Sequence, residues 1–173
     1  KINSYALGVS ADGSVVVGDS DSKAFRWTNA TGMVGLVGGG TFSRANGVSA
    51  DGSVVVGRGS DLKAFRWTSG SGMVGLGDLS GGQFESDAES ISADGLVIVG
   101  SSSSTNGPSG EAFRWTSGSG MVGLGDLPGS EFNSIATDVS ANGTVVVGVG
   151  QDGDQGHGPQ RRLEGMGEGG VSH

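Results

Sequence analysis

Few residue types in this chain could carry chemistry, and most of those recur at fixed places. An arginine stands inside the pentapeptide AFRWT at Arg26, Arg66 and Arg114. Three guanidinium groups at one repeated position would offer an acidic ligand or a glycan a row of forked donors. The same position suits an arginine that donates to carbonyls, or to an aspartate, of the next unit. A residue present in every unit serves what all units share, so the structural role is the expectation. Trp27, Trp67 and Trp115 would stack on sugars, but each lies two places from a Phe, on one face of a strand, and reads as core. Asp12, Asp51 and Asp94 stand in Asp-Gly turns, where carboxylates could gather Ca²⁺. That ion needs six to eight oxygen ligands, and the fourth copy has the neutral Asn142, so turn chemistry accounts for them better. Asp78 and Asp126, in the tripeptide GDL, have no counterpart in the first unit, where Val37-Gly38 stands. No metal or cofactor is expected.

Catalysis has little to work with. The two histidines, His157 and His173, both fall in a glycine-dense C-terminal stretch. No serine sits in the strand–turn–helix context of a nucleophile elbow, and neither a phosphate loop nor H-E-x-x-H occurs. Glu85, Glu89, Glu111 and Glu131 read as loop carboxylates, from which a glycosidase-like pair would have to come. None repeats, and none has an apolar setting that would raise its pKa. The sequons at Asn29 and Asn142 both fall on turns. The absence of cysteine excludes a disulfide framework and thiolate metal sites. A net charge of −8 and a pI near 4.5 argue against nucleic acid and against an anionic membrane surface, since both need clustered Lys and Arg. No apolar run approaches the ~18 residues of a membrane span, so this segment should not insert.

These residues are positioned by repeats. SADGSVVVG at 10–18 and 49–57 returns as SADGLVIVG at 92–100 and SANGTVVVG at 140–148. AFRWT starts at 24, 64 and 112, and GMVGL at 32, 72 and 120. Ala6, Ala45, Ala88 and Ala136 stand four places before each opening Ser, and Phe42, Phe84 and Phe132 mark the approach to the next unit. The 37 glycines among 173 residues, far above the usual ~7%, belong largely to these motifs. That placement favours an ordered repeat over a low-complexity chain.

Each unit reads as four short strands. Tyr5, Leu7 and Val9 alternate as in a half-buried strand. Ala11-Asp12-Gly13 is a tight turn. The valine run is apolar on both faces and should be covered on both. Phe25 and Trp27 share one face of a third strand, and Met33–Val37 forms a fourth. No apolar stripe of helical spacing occurs. The fold class is therefore all-β: tandem four-stranded antiparallel repeats of the size of β-propeller blades. The alternative is a β-solenoid, each unit making two rungs. Length variation between VVVG and AFRWT, confined to one hairpin loop, suits blades better.

With these motifs in order, VSADGSVVVG, AFRWT and GMVGLGDL, the chain resembles the HAF family of bacterial extracellular repeats over residues 1–149. The SADGS turn is also similar to the Ser-Pro-Asp-Gly turn of periplasmic and secreted propellers. The resemblance implies an exported location, extracellular or at the bacterial cell surface, as in autotransporter passenger regions. It carries no defined activity. Units run over about 3–37, 42–79 and 84–127, with a half unit at 132–149. The chain starts inside a repeat, as a fragment or processed product would. Residues 150–173 break the pattern: where a fourth AFRWT is due, the chain reads QRRLE at 160–164, matching only at Arg162. Disorder is expected there.

The reading is a non-catalytic structural or adhesion-binding scaffold. Its alternative is part of a secreted polysaccharide-acting enzyme whose catalytic residues lie outside this segment. Partners would be a protein or glycan surface, with self-association through open strand edges. Recognition should fall where units differ most. That is the stretch 101–111, eleven residues against five at 19–23 and six at 58–63. Ser103, Thr105, Asn106 and Glu111 are its candidate ligand contacts.

Overall fold

A computed structural model describes residues 3–36, 38, 40–107, 109–126 and 132–150, with the backbone of a strand at 161–163. The first unit is a sheet of β1 (Ser4–Val9), β2 (Val15–Ser20), β3 (Lys23–Thr28) and β4 (Gly32–Gly35), in that order. The second repeats it with β5 (Arg44–Val48), β6 (Val54–Arg58), β7 (Ala64–Thr68) and β8 (Gly72–Gly75). The third has β9 (Ser86–Ile91), β10 (Ile98–Ser102), β11 (Glu111–Thr116) and β12 (Gly120–Gly125). The fourth has β13 (Ser134–Val139), β14 (Val146–Gly150) and β15 (Arg161–Leu163). Among the described residues every strand pairs antiparallel with its sequence neighbours inside its own sheet. Each sheet is thus a meander, and the stacked parallel rungs of a solenoid do not occur.

The motifs explain the register. Each Asp-Gly turn joins the first strand to the second, with Gly13, Gly52, Gly95 and Gly143 at φ of 71–73°, a region that side chains with a Cβ avoid. Each valine run ends in glycine because the first strand passes so close. A Cβ on Gly57 would stand 1.9 Å from the Arg44 carbonyl oxygen, and Gly18, Gly100 and Gly148 are equally confined.

The two faces of each sheet bury different residues. Val15, Val17, Ala24 and Leu36 of unit one pack on Ala45, Val48, Val55, Phe65, Trp67 and Met73 of unit two. The second junction repeats this with Val54, Val56 and Ala64 against Ala88, Ile91, Ile98, Phe113 and Trp115. The third sets Val97, Val99 and Ala112 against Ala136, Val139 and Val146. Alternate residues of one valine run therefore enter two different cores, which is why the run is apolar on both faces. The first strands of successive sheets lie beside one another. The fourth strands are outermost, with Val34, Val74 and Val122 about half exposed.

Three expectations need correction. The five-residue loop 19–23 is a two-residue hairpin, because β2 continues to Ser20 and Asp21-Ser22 both take positive φ (50° and 64°), the geometry that matches strand twist. The long loop shrinks likewise to 103–110, leaving Ser101, Ser102 and Glu111 in strands; Glu89 too lies in a strand. Within the stretch 150–173, Arg161–Leu163 form β15 rather than disordered chain. Leu163, not a residue of AFRWT type, pairs with Gly148 where Phe25 pairs with Gly18, so Arg162 falls at the Ala24 position, two places out of the arginine register. The remainder of 151–173 lies outside the described residues, as does Glu131.

Candidate functional site

The repeated polar residues are used within the fold. In the first turn the Ser10 hydroxyl donates to Asp12 Oδ1 (2.7 Å), the Ser14 N–H donates to the same oxygen (3.0 Å), and the Val15 N–H donates to Ser10 Oγ (3.0 Å). Ser49-Asp51, Ser92-Asp94 and Ser140-Asn142 repeat the arrangement, the amide oxygen of Asn142 standing in for a carboxylate. The Ser14 N–H first, then the Ser10 hydroxyl, hold the Asp12 carboxyl down at about 2. Ser49 and then the Ser53 N–H do the same for Asp51, also at about 2. Ser92 and the Leu96 N–H lower Asp94. Arg26 Nε donates to the Gly52 carbonyl of the next turn at 3.3 Å, the inter-unit role expected of it. Trp67 and Trp115 flank the junction cores.

A serine that the sequence reading passed over does more. Ser43 Oγ accepts the Ala24 N–H (3.0 Å) across the first junction, while the Ser43 N–H donates to the Ser22 carbonyl (2.9 Å). Ser86 binds Ala64 and Leu62 in the same two-pronged way, and Ser134 binds Ala112 and Gly110. Ser4, Ser43, Ser86 and Ser134 each stand two places before the recurring alanine, and that spacing was the available signal.

The four candidate contacts do not converge on one point. Ser103 is buried; its hydroxyl accepts the N–H groups of Gln83 (2.9 Å) and Glu85 (3.3 Å). Thr105 is exposed, but its hydroxyl donates to the Ser80 carbonyl at 3.0 Å. Asn106 is exposed at the loop tip. Glu111, on β11, faces away toward β12 and accepts the Gly125 N–H at 3.3 Å. Ser102 and Ser103 together satisfy the backbone of the connection 79–85. Part of the serine run is thus a latch.

The loop nevertheless walls a polar cleft of about 190 Å³ at the second junction, lined by Arg58, Asp87, Glu89, Ser101 and Ser109 among others. Arg58 Nη2 lies 3.8 Å from Glu85 Oε2, and its Nε is buried without a partner among the described residues. Asn46 Nδ2 reaches across from unit two to donate to Asp87 Oδ1 and to the Ala88 carbonyl, both at 2.9 Å. Burial, then the charge of Glu89, push the Asp87 carboxyl up to about 6, against the opposing pull of Arg58, Arg44 and Asn46. The cleft therefore presents a guanidinium, a carboxyl that titrates near 6, a carboxylate and hydroxyls. That set exchanges hydrogen bonds with polar, hydroxyl-rich ligands. The first junction differs: there Asp19 faces Arg44 at 3.9 Å, beside Tyr5, Leu7 and Phe42.

No family model matches this sequence, and no curated protein matches it. Solved structures do resemble it in fold. TolB from Acinetobacter baumannii is 19% identical with a TM-score of 0.59, the match covering 86% of this chain and 38% of that one. The fold is that of stacked β-propeller blades. The computationally designed Ika4 protein is 18% identical with a TM-score of 0.50, covering 94% of this chain and 92% of that chain. This chain thus spans well under half of the TolB structure it matches.

Proposed function

We propose that this chain is a HAF-type, non-catalytic binding scaffold of a bacterial surface or secreted protein, and that it takes a glycan or polar protein surface at the second-junction cleft. One observation carries the reading. The chemistry-bearing residues found at repeated positions serve turns and junctions, whereas polar residues peculiar to one unit gather round Arg58 and Asp87. The motif order, the blade fold and its likeness to a bacterial propeller support an envelope or exported setting. Exposed Ser109 lines the cleft, and exposed Asn106 stands on the same loop. The test is binding of the chain to a glycan panel and to host cells, with Arg58→Gln and Asn106→Ala beside the parent. Both variants should fold and bind at least about tenfold more weakly. Equal binding by parent and variants overturns the site. Release of reducing sugar from a polysaccharide overturns the non-catalytic reading in favour of a secreted hydrolase.

A further inference from the structure

The first junction holds a cleft that the repeat does not explain. Its volume is about 330 Å³, and its walls come from both units: Tyr5, Leu7 and Asp19 from the first, Phe42 and Arg44 from the second. The packing of β1 and β2 on β5 holds these walls together. Small-ligand sites run from ~300 to 1,000 Å³ and set a few polar groups among apolar and aromatic walls. This cleft has that size and that make-up.

Its residues are also the ones that set the first junction apart. Tyr5 and Leu7 stand where unit two has Arg44 and Asn46, and unit three Asp87 and Glu89. Asn46 ties the second junction by donating to Asp87 Oδ1 and to the Ala88 carbonyl. Leu7 has no donor, so the first junction lacks that tie. The recurring phenylalanines differ as well. The Lys63 ammonium lies 5.3 Å from the centroid of the Phe84 ring. Phe132 stands so close to Gly107 that a Cβ there would come within 2.7 Å of its Cδ1. Phe42 instead lines the cleft at 42% exposure, with Tyr5 at 56%. Arg44 Nε and Asp19 Oδ1 are 3.9 Å apart, too far for a hydrogen bond. Among the described residues neither side chain, nor the Tyr5 hydroxyl, makes a hydrogen bond.

We propose that this cleft binds one neutral sugar ring of a saccharide chain, stacked on Tyr5 and Phe42 and hydrogen-bonded to Asp19 and Arg44. A pyranose carries C–H groups on its faces and hydroxyls round its edge, which matches aromatic walls beside an ion pair. Each hydroxyl both donates and accepts, so adjacent hydroxyls satisfy the carboxylate and the guanidinium without separating them. A free amino acid would bring a competing charge to each member of the pair. A wholly apolar ligand would bury both charges with no new partner, which costs binding energy. This site shares no lining residue with the second-junction cleft, and neither depends on the other.

Tyr5 is the single tyrosine of the chain, so ring-labelled tyrosine gives one NMR reporter inside the cleft. Titration of the full chain with cellotetraose, maltotetraose and mannotetraose should shift that signal saturably with at least one of them. Calorimetry with that tetrasaccharide should find Tyr5→Ala and Phe42→Ala each about tenfold weaker, as for anchoring aromatics. Tyr5→Phe keeps the ring and should bind close to the parent, and Asp19→Asn should bind more weakly. Phe84→Ala, at the matching position outside the cleft, should bind as the parent does. Tyr5 and Phe42 are well exposed, so their variants should keep the parent's melting temperature. No shift of the Tyr5 signal with any of the three sugars overturns the proposal. An equal shift with L-phenylalanine does so too, since it would mark a general apolar patch. So does binding that survives Tyr5→Ala but falls in Arg58→Gln, which would put the sugar in the second cleft.

Discussion

The Ser43 hydroxyl accepts the N–H of Ala24, nineteen residues earlier, at 3.0 Å across the first junction. Its counterparts Ser86 and Ser134 do the same for Ala64 and Ala112. Each alanine is wholly buried, so no water replaces a lost partner. The sheets are joined by burial of valine and phenylalanine, but the serines set how they meet.

Replacing Ser86 by alanine strands the buried Ala64 N–H and releases the Gly77 carbonyl, to which Ser86 donates at 2.7 Å. The expected loss is about 1–3 kcal/mol of folding stability. Urea denaturation should show it against exposed Ser69→Ala, expected within about 0.5 kcal/mol of the parent. Equal midpoints for the two variants would remove the clip from the list of stabilising contacts.

Gly13 and Gly52 occupy the same turn position at the same φ of 71°. Alanine at Gly13 should cost only the left-handed backbone penalty, about 1–2 kcal/mol. Alanine at Gly52 also drives a methyl against Val15 Cγ2, 2.4 Å away, adding about 1–3 kcal/mol of overpacking. Comparison of the two midpoints measures what the neighbouring unit contributes at an otherwise identical site.

Asp87 makes stability depend on pH in an unusual direction. Its folded pKa, about 6, lies above the ordinary 3.8, so the folded state holds this proton more tightly than the unfolded chain. Stability from this group is full below about pH 4 and is lost as pH rises through 6, by on the order of 2 kcal/mol. Asp87→Asn should flatten that slope and be the more stable protein at pH 7.5. Denaturation midpoints at pH 4.5 and 7.5 decide it; a parent with no fall between them contradicts the assignment.

The turn aspartates act with the opposite sign and at lower pH. Asp12 and Asp51 are held at about 2 in the fold against 3.8, so their contribution is present above about pH 4 and is lost as pH falls through 2. Asn142 makes the same turn without a charge. Asp51→Asn should therefore keep the turn at neutral pH and weaken the acid dependence, while Asp51→Ala should lose stability at both. Circular dichroism melts at pH 7 and pH 2.5 separate the two.

The all-β class, four-strand unit and turn positions were legible in the sequence because each depends on neighbours along the chain. Alternation sets a strand's faces, Asp-Gly makes a turn, and a run of valines requires two cores. The structural roles of Arg26 and of the turn aspartates followed from the same local logic. The interlocking was not legible. That Val54 and Val55 enter different cores, that Ser43 answers Ala24, and that strands run on through Ser20 and Ser102 depend on where the next sheet lies. The cleft was hidden for the same reason. Asp87 has no motif; its burial at the junction first, and then the charge of Glu89 along its own strand, raise its proton affinity against the pull of Arg58, Arg44 and Asn46 from the neighbouring unit. Ser103, by contrast, looked free until the fold placed the N–H groups of Gln83 and Glu85 against it. Local sequence determined what each blade is made of; stacking decided which of its polar groups are spent, because burial and electrostatic coupling act through space between residues far apart in the chain.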